Sequence, residues 1–201
     1  MKHLKIVFPL AAVFFGLLLS CQKNHKQGEF LLSDEMKAQN PYQLGAKLIF
    51  LSDSSITYPV TIGSRYDTIY RTLAGMNTNE YYFIEVERTW TLYTSTTDIP
   101  GLSLEMAGKV NQPANFRIDV NFNNKGRSWS FELPLNKEYT PFLDSIQVQG
   151  NWFYDVYYNE LEKKENRAYK LYYSTQYGIV KIDFSDGSFW ELESIEWAER
   201  E

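Results

Sequence analysis

The stretch "NFRIDVNFNNKGRSWSFEL", residues 115–133, decides the fold class. Phe116, Ile118, Val120 and Phe122 alternate with Asn115, Arg117, Asp119 and Asn121. A period of two is that of a strand with one face packed and the other wet. After "NNKG" at 123–126, Trp129, Phe131 and Leu133 alternate with Ser128, Ser130 and Glu132. Two such runs around a short glycine-containing link read as a hairpin.

The pattern spreads outward from there. Tyr82, Ile84, Val86, Trp90 and Leu92 fall on one strand face, and Glu85, Glu87, Thr89 and Thr91 on the other. Leu102, Leu104 and Met106 repeat it, and shorter runs occupy 46–51, 55–62 and 67–73. "DG" at 186–187, between Ile182/Phe184 and Phe189/Trp190, predicts a second tight turn. "SDEMKAQ" at 33–39 predicts one short helix capped by Ser33 and ended by Asn40-Pro41. About ten or eleven strands with short links favour antiparallel neighbours, and so many strands must curl, close or split. The expected fold is all-β: a single strongly curved antiparallel meander sheet, half-barrel or open barrel, with a β-sandwich as the alternative.

One segment departs from clean alternation. "SIQVQGNWFYDVYY" at 145–158 reads as one strand with Gly150 as a mid-strand bulge. Ile146, Val148, Trp152, Tyr154, Val156 and Tyr158 form one face. Phe153 and Tyr157 add aromatics to the other, and Tyr172 stands out of phase with Tyr169, Leu171 and Tyr173. Phe153, Tyr157 and Tyr172 read first as a second small core under a covering loop or the short N-terminal helix; as the alternative they are the candidate ligand or partner face.

The chain opens "MKHLK", followed by an uncharged apolar stretch from Ile6 to Leu19. That suits a secretory signal and is short of the ~20 residues a membrane-spanning helix needs. It ends at "LLSC", Leu18 to Cys21, the chain's single cysteine. "LLSC" resembles a bacterial lipobox, which implies cleavage between Ser20 and Cys21 and a diacylglyceryl group on the Cys21 sulfur. Two acyl chains, at about 0.8 kcal/mol per buried methylene, suffice for stable anchoring where one does not. The expected organisation is a signal peptide at 1–20, a polar tether at 21–29 and one β-rich domain at 30–201. Losing residues 1–20 removes Lys2 and Lys5 and no acid, so the formal charge moves from −5 to −7. So acidic a chain does not suit nucleic acid. Gln22, rather than Asp, follows the cysteine; by the same resemblance this implies the outer membrane, facing the periplasm.

"DSIQVQGNWFYDVYY", "YYSTQYGIVKI", "DGSFWEL" and, near residue 40, "NPYQLGAKLIFL" together resemble small lipoproteins of Bacteroidota. "YYSTQYGIVKI" is also distantly similar to a strand of curved half-barrel periplasmic proteins of the Lol carrier type. These likenesses imply a lipid-anchored envelope protein with a curved sheet, and no reaction.

Of the two histidines, His3 lies in the signal segment and His25 in the expected tether. A β-domain at 30–201 then holds no imidazole or thiol, which excludes Ser-His-Asp and Cys-His nucleophiles and His- or Cys-based metal sites. Glu85 and Glu87 share a strand face at roughly 6.5–7 Å by strand spacing, compatible with a glycosidase pair or with a solvated face. Asp183, Asp186 and Ser188 admit a calcium site or a plain hairpin. The acidic end "ELESIEWAERE" reads as a solvated strand end whose Trp197 packs back on the sheet. The sequence thus assigns no catalytic residue, metal or cofactor. It points to binding, of an apolar ligand or an envelope protein, alongside the membrane contact through Cys21. The alternatives are a carboxylate-dependent glycan hydrolase and a structural assembly subunit.

Overall fold

A computed structural model describes residues 23–77, 80–94, 101–108, 114–122, 127–165 and 167–198. Cys21, Ser20, the signal segment and the "NNKG" link lie outside the described residues. The first seven strands are β1 (Lys23–Phe30), β2 (Lys47–Ser52), β3 (Thr57–Asn77), β4 (Glu80–Thr94), β5 (Gly101–Ala107), β6 (Asn115–Phe122) and β7 (Arg127–Glu132). The other five are β8 (Phe142–Val148), β9 (Asn151–Glu160), β10 (Ala168–Ser174), β11 (Gly178–Phe184) and β12 (Phe189–Glu196). One helix, α1 (Asp34–Ala38), has Ser33 as its cap, the Ser33 hydroxyl accepting from Met36 N–H at 3.2 Å. The fold is nearly all β, as the alternation predicts. All twelve strands belong to one sheet, ordered β7-β6-β5-β4-β3-β2-β12-β11-β10-β9-β8, with β1 pairing β4 off this path.

The chain divides into two compact units. One holds the described residues up to Glu29 together with Arg71–Glu85, and the other holds Phe30–Tyr70 and Val86 onward.

In the smaller unit β1 pairs with β4, which corrects the reading of 21–29 as a tether from Lys23 on. The physical reason is that none of this unit's described side chains is buried. A strand wet on both faces carries no apolar alternation by which to be found. Lys26 lies 2.5 Å from Glu29 and 2.7 Å from Glu85, and Arg71 3.3 Å from Glu85. His25 stacks on Tyr82 at 5.4 Å, so an imidazole does belong to the folded protein.

In the larger unit the sheet curls around one core. The Phe116 ring on β6 meets the Tyr173 ring on β10 edge-on at 4.7 Å, seven positions away in the strand order. Asn159 on β9 donates to the Glu132 carbonyl of β7 at 2.6 Å, so the two ends of the order also meet. That is why the short link from Glu132 to Phe142 can carry the chain from one end of the path to the other. The path is two meanders, β2 to β7 and β8 to β12, joined where β12 pairs antiparallel with β2. The strands form one continuous path, not the two separate sheets of the sandwich alternative.

The segment after α1 fills the inner face. Asn40 is buried and its amide donates to the Thr91 hydroxyl at 3.0 Å. The fully buried Tyr42 ring stands edge-on to Tyr93 at 5.4 Å, and its hydroxyl accepts from Ile179 N–H at 2.5 Å. The Tyr173 hydroxyl donates to the Gln39 carbonyl at 2.9 Å, and Arg65 donates to the Tyr42 carbonyl. Burial pushes the phenols of Tyr42, Tyr93 and Tyr173 up, so all three stay neutral.

Residues 145–158 are not one strand. Gln149 (φ 48°) and Gly150 (φ 79°) make a two-residue turn between β8 and β9. Positive φ at both turn residues is the type I′ signature, whose twist suits a hairpin. The turn re-pairs the faces: Ile146 stands opposite Phe153, and Gln147 opposite Trp152. Directly opposed residues of an antiparallel pair share a face. Phe153 and Tyr157 are buried, while Trp152 and Tyr154, read on the main apolar face with Val156, are 54% and 52% exposed.

Candidate functional site

The three predicted face residues do not come together. Tyr157 is buried, its ring 5.1 Å from Phe142. It stands opposite Tyr173, whereas Tyr172 stands opposite Tyr158, so Tyr157 and Tyr172 point to opposite faces of the sheet. Tyr172 and Tyr158 are 5.8 Å apart, with the Lys170 ammonium over both rings at 5.4 and 4.8 Å. Lys170 is anchored 2.8 Å from Glu160, which holds its ammonium above the usual lysine range. This pair is a capped outer surface.

Phe153 alone lines a cleft, about 290 Å³ in volume, between the start of β9 and the end of β12. Its aromatic walls are Trp152, Phe153, Tyr177 and Trp197. Leu192 and Ile195 give it apolar ground, and Asn151, Glu193 and Ser194 supply polar groups. The local sequence builds each wall. The Gln149-Gly150 turn sets Trp152 outward and Phe153 inward. The tight link between β10 and β11 presents Tyr177, whose ring meets Phe153 edge-on at 5.1 Å and 88°. A register shift in β12 between Leu192 and Ser194 interrupts the alternation, leaving Glu193 and Ser194 both exposed. Trp197, expected to pack back on the sheet, is 45% exposed at the rim. Sequence reasoning missed Trp152, Tyr177, Glu193 and Trp197. The signal that finds Trp152 is the "QG" dipeptide, once it is read as a turn.

Two features set the electrostatics of these walls. Some rings elsewhere carry a cation of the chain itself, as Arg88 lies 4.9 Å over Tyr70, Lys137 3.7 Å over Phe142 and Lys181 5.0 Å over Phe189, whereas the exposed Tyr66, Tyr139 and Tyr154 carry none among the described residues. Among the described residues, no lysine or arginine covers any of the four cleft rings. Glu193 likewise has no ion-pair partner among the described residues. Most of its acidic neighbours do: Glu191 lies 2.9 Å from Lys181, and Glu196 3.2 Å from Lys47.

The other predicted acids are engaged. In the smaller unit Glu85 is held below the usual carboxylate range, chiefly by Lys26. In the larger unit Glu87 accepts from Leu32 N–H at 3.0 Å and lies 2.5 Å from Lys37. The Asp186 carboxylate accepts from the Ser188 N–H at 2.9 Å and hydroxyl at 2.6 Å, closing the hairpin around Gly187 (φ 93°). Asp183 lies 3.4 Å from Lys181 instead, and burial pushes its carboxyl up. Among the described residues, no group of three or more His, Cys, Asp or Glu is arranged to hold a metal ion. No helix among them is long and apolar enough to cross a membrane.

No protein-family model matches the chain, and no curated protein or solved structure is significantly similar to it.

Proposed function

We propose that this chain is a lipid-anchored cell-envelope protein, held at the outer membrane through Cys21, that works by binding. Its site is the aromatic cleft between β9 and β12, and its occupant is a small ligand or a group presented by an envelope protein. The observation that carries this reading is the exposure of two indoles, Trp152 at 54% and Trp197 at 45%, around one concave space. Large aromatic surface left wet beside a concavity is what a binding site needs, since covering it releases water. The lipobox at Leu18–Cys21 supports the anchoring. The reading assigns no catalytic residue. For the hydrolase alternative, Glu85 and Glu87 are each committed to partners, and the cleft wall carries one carboxylate, Glu193.

The test has two arms. Cys21→Ser abolishes incorporation of labelled fatty acid and moves the protein to the soluble fraction; retention in the membrane would defeat the anchoring. Native mass spectrometry of the membrane-extracted protein detects a bound ligand or partner, and Trp152→Ala with Trp197→Ala removes it. Loss of nothing from the double variant would defeat the cleft as the site.

A further inference from the structure

We propose that the cleft takes an organic cation, an alkylammonium group, held against its aromatic walls with Glu193 as the counter-charge. This rests on the reading of the cleft as a binding site. Three observations converge on it. The first is composition: two half-exposed indoles, a phenol, a phenyl ring and one carboxylate line a single space. Aromatic faces carry negative potential, and a carboxylate beside them makes the site selective for positive charge.

The second is a contrast within the molecule. Arg88 covers the ring of Tyr70 and Lys170 that of Tyr158, and the acids flanking Glu193 on the same strand have cations of the chain itself, Lys181 for Glu191 and Lys47 for Glu196. The cleft rings are left uncovered among the described residues, and so is Glu193 unpaired. Where Glu191 and Glu196 have a cation of the chain itself, Glu193 is open to one from outside.

The third is size and field. A volume of about 290 Å³ is at the lower end of small-molecule sites, which start near ~300 Å³. It suits a headgroup-sized cation and is small for two acyl chains. Glu193, Asn151 and Ser194 on the wall also disfavour a purely apolar chain. With a formal charge of −7 after residue 20, the protein's own field concentrates cations and repels anions.

An ammonium of this kind is found on small quaternary amines and on lysine side chains. The experiment therefore titrates residues 22–201 with choline and, separately, with N-acetyl-lysine amide. Indole N–H resonances and tryptophan emission are the readouts. The neutral isostere of choline, 3,3-dimethylbutanol, is the control. The expected result is saturable binding of at least one cation, with the isostere bound at least fivefold more weakly. Tighter choline binding identifies a small quaternary ligand, and tighter lysine binding a side chain of a protein partner. Glu193→Gln keeps the shape and weakens the cation at least fivefold. Trp152→Ala and Trp197→Ala each abolish saturation while the far-ultraviolet spectrum of the fold is unchanged. Equal affinity for the isostere, with Glu193→Gln silent, overturns the cation and leaves an apolar binding site. No saturable binding by either cation overturns the cation as well; if native mass spectrometry also finds the cleft unoccupied, the binding role falls with it.

Discussion

At the residue scale, two glycines show how the same conformation can cost different amounts. Gly150 and Gly178 both have positive φ, 79° and 81°. A Cβ at Gly150 would meet nothing within 4 Å, whereas one at Gly178 would lie 1.9 Å from the Tyr42 hydroxyl. Gly150→Ala is expected to cost about 1 kcal/mol, the backbone strain alone. Gly178→Ala adds a collision with a buried ring and is expected to cost about 3 kcal/mol or more. Urea denaturation of residues 22–201 measures both, and equal midpoints would refute the tight approach of Tyr42. Tyr42→Phe keeps the packing but leaves the buried Ile179 N–H without its acceptor, an expected loss of about 1–3 kcal/mol. The Asp186 carboxyl is held below the usual range by the Ser188 hydroxyl and N–H. A lowered folded-state value contributes stability above the ordinary Asp value of ~3.9, lost as pH falls through the folded one. Asp186→Asn removes that charge-linked stability, so the variant should unfold more easily at neutral pH and show a flatter acid limb below about pH 4, the two curves meeting at low pH.

At the scale of elements, strands β4, β5 and β6 are joined on their outer face by a charge ladder. Glu105 is 7% exposed, 3.2 Å from Arg88 and 2.9 Å from Arg117; Arg117 continues to Asp119 at 3.3 Å. Removing the central carboxylate leaves two guanidiniums facing each other, so Glu105→Ala is expected to cost about 1–3 kcal/mol. An unfolding midpoint indistinguishable from the parent would refute it. Element by element, legibility followed the difference between the two faces. The β5–β6–β7 run was readable because Leu104, Ile118 and Phe131 are fully buried while their sequence neighbours reach the wetter face. β1 was not, because both its faces are wet. The β8–β9 hairpin was misread because Gln149 stands where Asn or Asp usually announces a type I′ turn. That misreading put Trp152 on the main apolar face and drew attention to Phe153 and Tyr157, of which only Phe153 touches the cleft; Tyr172 was singled out by the phase of its own strand and lies outside it too.

For the whole molecule, the decisive fact is that pairing is not sequential. β2 lies between β3 and β12, with Lys47 opposite Glu196. No periodicity announces such a partnership, since alternation specifies which face is buried and not which strand lies alongside. A chain ending at residue 188 lacks β12 and so exposes the edges of both β2 and β11. It is expected to lose cooperative urea unfolding and to aggregate, as seen by light scattering.

The Lys47–Glu196 contact spans 149 positions of sequence. A ribosome or a translocation pore releases the amino-terminal side first, so β2 must wait with one margin bare until β12 has emerged. Such a molecule cannot mature piecemeal during synthesis; it closes late and at once, and in the interval its naked strand is a natural client for a holdase chaperone.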